Sequence, residues 1–137
     1  MSRDQRRDQR RDPSRACGNE ATILVADDDD HVRGLLRRVL EGAGFRVLEA
    51  RDGEEALRIA GRHDGALELL VTDVEMPGIA GPALAERIRS SRPCTPVIYV
   101  TGNPASLSAK KLSGRAAVLL KPFDLEQLLC VIEKLQG

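Results

Sequence analysis

Residues 69–78 decide the fold and read Leu-Leu-Val-Thr-Asp-Val-Glu-Met-Pro-Gly. This apolar run ends in a single carboxylate, Asp73, and the chain then turns at a Pro-Gly pair. Short apolar runs that end at turn residues are typical of buried strands. A second such run, residues 23–26, leads directly into Asp27 and Asp28. We therefore expect two strands to bring three carboxylates to one edge of a sheet, where they would bind a cation.

The composition predicts one folded domain and an N-terminal tail. The chain has 137 residues, of which 42% are hydrophobic, enough for one buried core. Residues 1–20 hold six arginines and four acidic residues but hardly any apolar side chains. We expect them to form a disordered tail rich in Arg, Asp and Gln, and residues 21–137 to form the domain. The arginines would suit nucleic acid or an anionic surface, but the interleaved acids cancel much of their charge and disfavour nucleic-acid binding.

The cysteines and the hydropathy pattern exclude several classes of protein. Cys17, Cys94 and Cys130 are odd in number and lack metal-ligand spacing, so we expect neither a disulfide framework nor a zinc site. No apolar run approaches the roughly 20 residues of a membrane span. The Arg-rich start also lacks the apolar stretch of a secretion signal. We therefore expect a cytoplasmic protein with no membrane partner.

Apolar runs alternate with segments of helical spacing from residue 21 onward, which predicts an α/β fold with a parallel sheet. We expect strands near residues 22–26, 46–49, 67–72, 96–100 and 117–120. Helices would cover residues 32–40, begin near 53, cover 82–88 and 107–112, and close the chain around 125–132. The fourth of these is short and polar. Asp30 is expected to cap the first helix.

Five residues with reactive or charged side chains follow the predicted strands, where ligands bind in open parallel sheets. They are Asp27, Asp28, Asp73, Thr101 and Lys121. Ionised carboxylates about 5 Å apart repel by about 3 kcal/mol per pair at an effective dielectric near 20. A hard cation such as Mg²⁺ would relieve this repulsion. Asp73 would then attack phosphorus as a carboxylate nucleophile, with Lys121 and Thr101 contacting the transferred group.

Four motifs together resemble the receiver domain of two-component response regulators, over roughly residues 21–136. They are Asp27-Asp28, Thr72–Gly78, Thr101-Gly102 and Lys121-Pro122-Phe123. The resemblance implies a flavodoxin-like doubly wound fold, with a five-stranded parallel sheet in the order 2-1-3-4-5 flanked by five helices. It also implies phosphoryl transfer from a histidine kinase or histidine phosphotransfer protein. The sequence is similar both to chemotaxis regulators and to receivers of hybrid histidine kinases.

The resemblance also assigns a role to each matching residue. It implies that Asp73 is the phosphoacceptor and, with Asp28, a direct magnesium ligand. Asp27 would reach the metal through water, and the backbone carbonyl of Glu75 would be the third protein contact. Thr101 and Lys121 would sense the phosphoryl group.

We therefore expect a stand-alone receiver that is phosphorylated on Asp73 and signals by changing its binding to an unidentified downstream protein. It would not be an enzyme beyond self-phosphorylation from small donors and self-dephosphorylation. One alternative is a magnesium phosphohydrolase of the haloacid dehalogenase type, although such enzymes need Asp-x-Asp on the first strand. The other is a binding module that ignores phosphate, which stays open because Val118 occupies the family's aromatic switch position.

Overall fold

Five strands and four helices make up the part of the protein that the computed structural model describes, residues 21–103 and 114–136. In chain order they are β1 (Thr22–Ala26), α1 (Asp30–Gly42), β2 (Arg46–Ala50), α2 (Gly53–Arg62), β3 (Leu69–Asp73), α3 (Gly81–Ser91), β4 (Val97–Thr101), β5 (Ala116–Leu120) and α4 (Leu125–Gln136). The tail predicted for residues 1–20 and the helix predicted for 107–112 lie outside the described residues. None of the four helices combines the length and apolarity needed to cross a membrane.

The strands form one parallel sheet in the order β2-β1-β3-β4-β5. This architecture confirms the predicted doubly wound fold. The chain builds outward from β1 in one direction and then returns to add β3 on its other side. The carboxyl ends of β1 and β3 therefore flank the point where the strand order reverses, which is where a crevice opens in this class of fold.

Helices cover both faces of the sheet. Successive side chains of a strand point to opposite faces, so Ile23 and Val25 of β1 face α1 and α4, whereas Leu24 and Ala26 face α2 and α3. The first face buries Leu36 and Leu40 of α1 and Leu128 and Ile132 of α4; the second buries Ala56 and Ala60 of α2 and Leu84, Ala85 and Ile88 of α3. Burial on both faces explains why the central strands are almost continuously apolar.

The cap of α1 differs from the prediction. Asp29, not Asp30, is the N-cap: its carboxylate accepts the backbone N–H groups of His31 (2.8 Å) and Val32 (3.3 Å). Asp29 has the extended backbone that a cap residue needs, whereas Asp30 already lies in the first helical turn. Because four consecutive aspartates offer the same capping group at every position, residue type could not fix the start of the helix.

Candidate functional site

Three acidic side chains meet at the carboxyl edge of the sheet. Asp27 and Asp28 follow β1, Asp73 ends the adjacent β3, and one carboxylate oxygen from each lies within 4.8 Å of the others. Their exposure is graded: Asp27 is 1% exposed, the Asp73 side chain is 12% exposed, and Asp28 lies on the surface. The structure therefore brings together all three predicted carboxylates, with Asp73 between the buried and the open side.

Asp27 is fixed at its backbone and at one carboxylate oxygen. Its backbone N–H donates to Ala50 O (3.1 Å), and its Oδ1 accepts the backbone N–H of Asp29 (2.9 Å). Its Oδ2 is buried and has no hydrogen-bond partner among the residues that the structure describes. A buried, unpaired carboxylate oxygen is costly unless a cation compensates it. Together with two neighbouring carboxylates it forms the hard oxygen donor set that Mg²⁺ prefers, so these residues fit the implied metal.

Burial shifts the protonation of the two least exposed acids. It raises the pKa of Asp27 to about 6, although the Asp29 backbone N–H and the charge of Lys121 act in the opposite direction. Burial also raises the pKa of Asp73, against the lowering effects of Lys121 and the Glu75 N–H. The negative charges of neighbouring aspartates contribute to both increases. The edge therefore holds carboxylates whose ionised forms are poorly stabilised by the protein alone.

Lys121 places a positive charge over this cluster. Its Nζ lies 3.6 Å from Asp73 Oδ2 and 3.9 Å from Asp27 Oδ2. The residue follows β5 directly, and its backbone N–H donates to Thr101 O (2.9 Å), so the ends of β4 and β5 are joined beside the acids. The Lys121-Pro122 peptide bond is cis. The predicted lysine is thus a member of the cluster.

Thr101 and Glu75 border the carboxylates. The buried Thr101 hydroxyl accepts the backbone N–H of Asn103 (3.0 Å) and lies 3.1 Å from Asn103 O, to which it donates. The backbone N–H of Glu75 lies 3.4 Å from Asp73 Oδ1, and the Glu75 side chain is exposed. The structure places both residues next to the cluster; their parts in phosphoryl and metal binding remain predictions.

The loop that follows Asp73 is packed so closely that two positions in contact with it require glycine. A Cβ on Gly81 would come within 2.4 Å of Asp73 O, and one on Gly53 within 2.6 Å of Ile79 Cβ. The N–H of Gly81 also donates to Val74 O (2.9 Å). The first turns of α2 and α3 therefore lie in direct contact with the loop of residues 74–80. These contacts fix the path of the chain after Asp73.

Arg33 also contacts the site, although its sequence context alone does not mark it as a site residue. Its Nη1 donates to the backbone O of Asp27 (2.8 Å), and its Nε donates to Glu49 Oε1 (3.2 Å). A cation near the start of a helix opposes the helix dipole. The position of Arg33 in α1 therefore indicates that another interaction compensates for this unfavourable placement. The sequence does not show that its partner, Glu49, lies in β2.

Comparison with known sequences agrees with this geometry. The chain matches the family model of the response regulator receiver domain over residues 23–133. It is 36% identical over 117 residues to the sensor kinase CckA of Brucella abortus, covering 84% of this chain and 12% of the kinase. It is 39% identical over 114 residues to the DNA-binding transcriptional regulator NtrC of Rhizobium meliloti, covering 82% of this chain and 23% of the regulator. The chain thus spans less than a quarter of either protein.

Solved structures show the same similarity. The chemotaxis protein CheY4 of Vibrio cholerae superposes with a TM-score of 0.76 at 29% identity, over 85% of this chain and 98% of CheY4. The receiver domain of the hybrid histidine kinase CckA gives 0.73 at 36% identity, over 85% of this chain and all of that domain. TrrA of Thermotoga maritima, solved in complex with Mg²⁺-BeF, gives 0.69 at 31% identity, over 84% of this chain and 98% of TrrA. Fold, edge geometry and sequence therefore agree that this chain belongs to the response regulator receiver domain family.

Proposed function

We propose that the protein accepts a phosphoryl group on Asp73 in a magnesium-dependent reaction and thereby changes its affinity for a downstream protein. The donor would be a phosphohistidine on a histidine kinase or a histidine phosphotransfer protein. The observation that carries this proposal is the cluster of Asp27, Asp28 and Asp73 under Lys121 at the edge of the sheet. The response regulator receiver domain family, to which the chain belongs, consists of phosphoacceptor signalling domains and not of classical enzymes.

Asp73 is the carboxylate best placed to act as the nucleophile. Its side chain is 12% exposed and so open to a donor, and its Oδ2 lies 3.6 Å from Lys121 Nζ. In the transfer, an Asp73 oxygen forms a bond to phosphorus and the bond from phosphorus to the donor histidine nitrogen breaks. The imidazole leaves with that electron pair and takes a proton from solvent. The product is an acyl phosphate on the protein and a free histidine on the donor.

The three carboxylates and the backbone carbonyl of Glu75 would hold the magnesium ion. Bound there, Mg²⁺ would neutralise carboxylate charge and polarise the phosphoryl oxygens. The solved complex of TrrA with Mg²⁺-BeF supports this assignment for a relative of the same fold. Asp27 would contribute its buried Oδ2, which accepts no hydrogen bond from residues 21–103 or 114–136.

Lys121 and Thr101 would report the new charge to the rest of the domain. The Lys121 ammonium would exchange the Asp73 carboxylate for a phosphoryl oxygen with little movement. Thr101 would have to give up its hydroxyl contact with Asn103 O to donate to the phosphoryl group. Such an exchange would pull the end of β4 and alter the surface presented to a partner.

We place this receiver domain at residues 21–137 and the protein in the cytoplasm. The two cysteines within the described residues, Cys94 and Cys130, are exposed and unpaired. Exposed free thiols suit a reducing compartment, where cytoplasmic histidine kinase domains would supply the phosphoryl group.

The test is incubation of the full chain with acetyl phosphate, with Mg²⁺ or with EDTA, followed by intact-mass measurement. We expect one phosphoryl group per chain, and only when Mg²⁺ is present. Absence of an adduct in the presence of Mg²⁺ would contradict the proposal. Rapid multiple turnover of small phosphate esters would instead identify a phosphohydrolase.

A further inference from the structure

Arg33 contacts the acidic residues that follow β1, Asp27 and Asp30. Its side chain is only 12% exposed, and its guanidinium donates to three acceptors at once: the backbone O of Asp27 (2.8 Å), Glu49 Oε1 (3.2 Å) and Asp30 Oδ1. Glu49 lies in β2, so the contact ties the loop after β1 to the neighbouring strand. A planar guanidinium suits such a multiple contact because its donors diverge at fixed angles.

The hydrogen bond from Arg33 is one of three that hold Asp27 in place. The backbone N–H is held by Ala50 O, the carbonyl by Arg33, and Oδ1 by the Asp29 N–H. Oδ2 is then the remaining polar atom; it is buried, has no hydrogen-bond partner in the described part of the chain and lies 3.9 Å from Lys121 Nζ. The carbonyl that Arg33 holds also belongs to the peptide that links Asp27 to Asp28, and this peptide is planar. The orientation of this one peptide plane therefore constrains the backbone from which two of the three carboxylates project.

We propose that Arg33 is a positioning residue for cation binding. By holding the Asp27 carbonyl, it keeps the Asp27-Asp28 peptide in the orientation that aims both carboxylates at Asp73. The inference rests on the proposed function in assigning the cation to this cluster, but it adds a residue that would touch neither the metal nor the phosphoryl group.

The sign of the effect separates positioning from simple electrostatics. Neutralising a positive charge near three carboxylates would strengthen cation binding by Coulomb's law alone. Loss of a positioning contact would weaken it, because the carboxylates would no longer be preorganised. Removal of hydrogen bonds that orient metal ligands weakens metal binding by about 10-fold or more in other proteins.

Arg37 is a matched control one turn further along α1. It pairs with the same Glu49, with Nη1 at 3.0 Å from Oε2, and within the described residues its ion pairs are with Glu49 and Glu41. Its side chain is 47% exposed. Arg37→Gln therefore removes the same charge from the same helix without removing the support of the Asp27 carbonyl.

The experiment titrates the full-length protein with Mg²⁺ alone and follows the backbone amide signals of residues 27, 28 and 73 by NMR, without a phosphoryl donor. We expect Arg33→Gln to bind Mg²⁺ about 10-fold more weakly than the wild type, and Arg37→Gln to bind it as the wild type does. Wild-type or tighter binding by Arg33→Gln would overturn the inference. So would an equal loss in Arg37→Gln.

Arg33→Lys provides a second variant in case the glutamine variant unfolds. It keeps the charge, so electrostatics predicts unchanged affinity, but one ammonium cannot reproduce the forked contact, so positioning predicts weaker binding. Urea unfolding would confirm that each variant is folded at the titration temperature. If the wild type itself does not bind Mg²⁺, the proposed function fails and this inference with it. If the wild type binds Mg²⁺ and the Arg33 variants bind it equally well, this inference fails and the proposed function does not.

Discussion

The ammonium of Lys121 lies 3.6 Å from Oδ2 of Asp73, and this ion pair joins the end of β5 to the end of β3 across β4. The same nitrogen is 3.9 Å from Asp27 Oδ2. Lys121 therefore supplies positive charge where carboxylates repel one another.

Removing that charge should alter both stability and metal binding. In Lys121→Met, the carboxylates lose a compensating cation, so we expect a lower free energy of unfolding at neutral pH without divalent ions. Mg²⁺ should bind more tightly to this variant because it no longer competes with the ammonium. Urea unfolding and Mg²⁺ titration would measure the two changes. Lys134→Met, on the exposed side of α4, is the control and should leave Mg²⁺ affinity unchanged. A decrease in Mg²⁺ affinity for Lys121→Met would contradict this account.

The raised pKa of Asp27 predicts an unusual pH dependence of stability. Its pKa is about 6 in the folded protein against 3.8 for an unperturbed aspartate, so the folded state binds the proton more tightly than the unfolded state. The contribution of Asp27 to the free energy of unfolding should therefore increase as pH falls through about 6. From about pH 7 to about pH 5 this increase would be about 1 kcal/mol.

Asp27→Asn isolates that contribution. We expect the variant to be more stable than the wild type near pH 7 in EDTA, and the difference to shrink as pH falls, since protonation neutralises the wild-type side chain. Urea unfolding of both proteins over this pH range would measure the difference. A difference that is constant with pH would show that Asp27 does not titrate there. Asp64→Asn, at an exposed aspartate, controls for net charge.

Gly81 should tolerate no side chain. A Cβ there would lie 2.4 Å from Asp73 O and 3.0 Å from Val74 Cα, both backbone atoms that cannot move independently. We expect Gly81→Ala to lower the free energy of unfolding by at least about 2 kcal/mol. Gly34→Ala is the control, because no atom of the described residues lies within 4 Å of a Cβ at that site in α1. It should raise stability by about 0.5–1 kcal/mol, and equal effects of the two substitutions would contradict the close packing.

Much of the architecture was readable from the sequence because both faces of the sheet are buried. Runs such as Ile23–Ala26 and Leu69–Val71 are apolar on each face, and acids directly follow or end them, so strand and site were predicted together. The predicted third strand ended at Thr72, however, whereas β3 includes Asp73. Asp73 pairs with Val100 of β4, and such pairing between distant segments sets the end of a strand more than its own composition does.

The parts that escaped prediction depend on which elements become neighbours. The cap on α1 was assigned to Asp30 although Asp29 fills it, since four identical residue types compete there. Arg33 was not assigned any role because its acceptors include Glu49, which is 16 residues away in the chain. Spacing within one helix reports which residues share a face, but it does not report which strand that face covers.

The central claim is that Asp73 is the phosphoacceptor, and its most direct test is the labelling of single-site variants. Wild type, Asp73→Asn and the surface control Asp64→Asn would be incubated with acetyl phosphate and Mg²⁺, after circular dichroism shows all three to be folded. We predict one added phosphoryl group on the wild type and on Asp64→Asn, and none on Asp73→Asn. Equal labelling of Asp73→Asn and wild type would contradict the account.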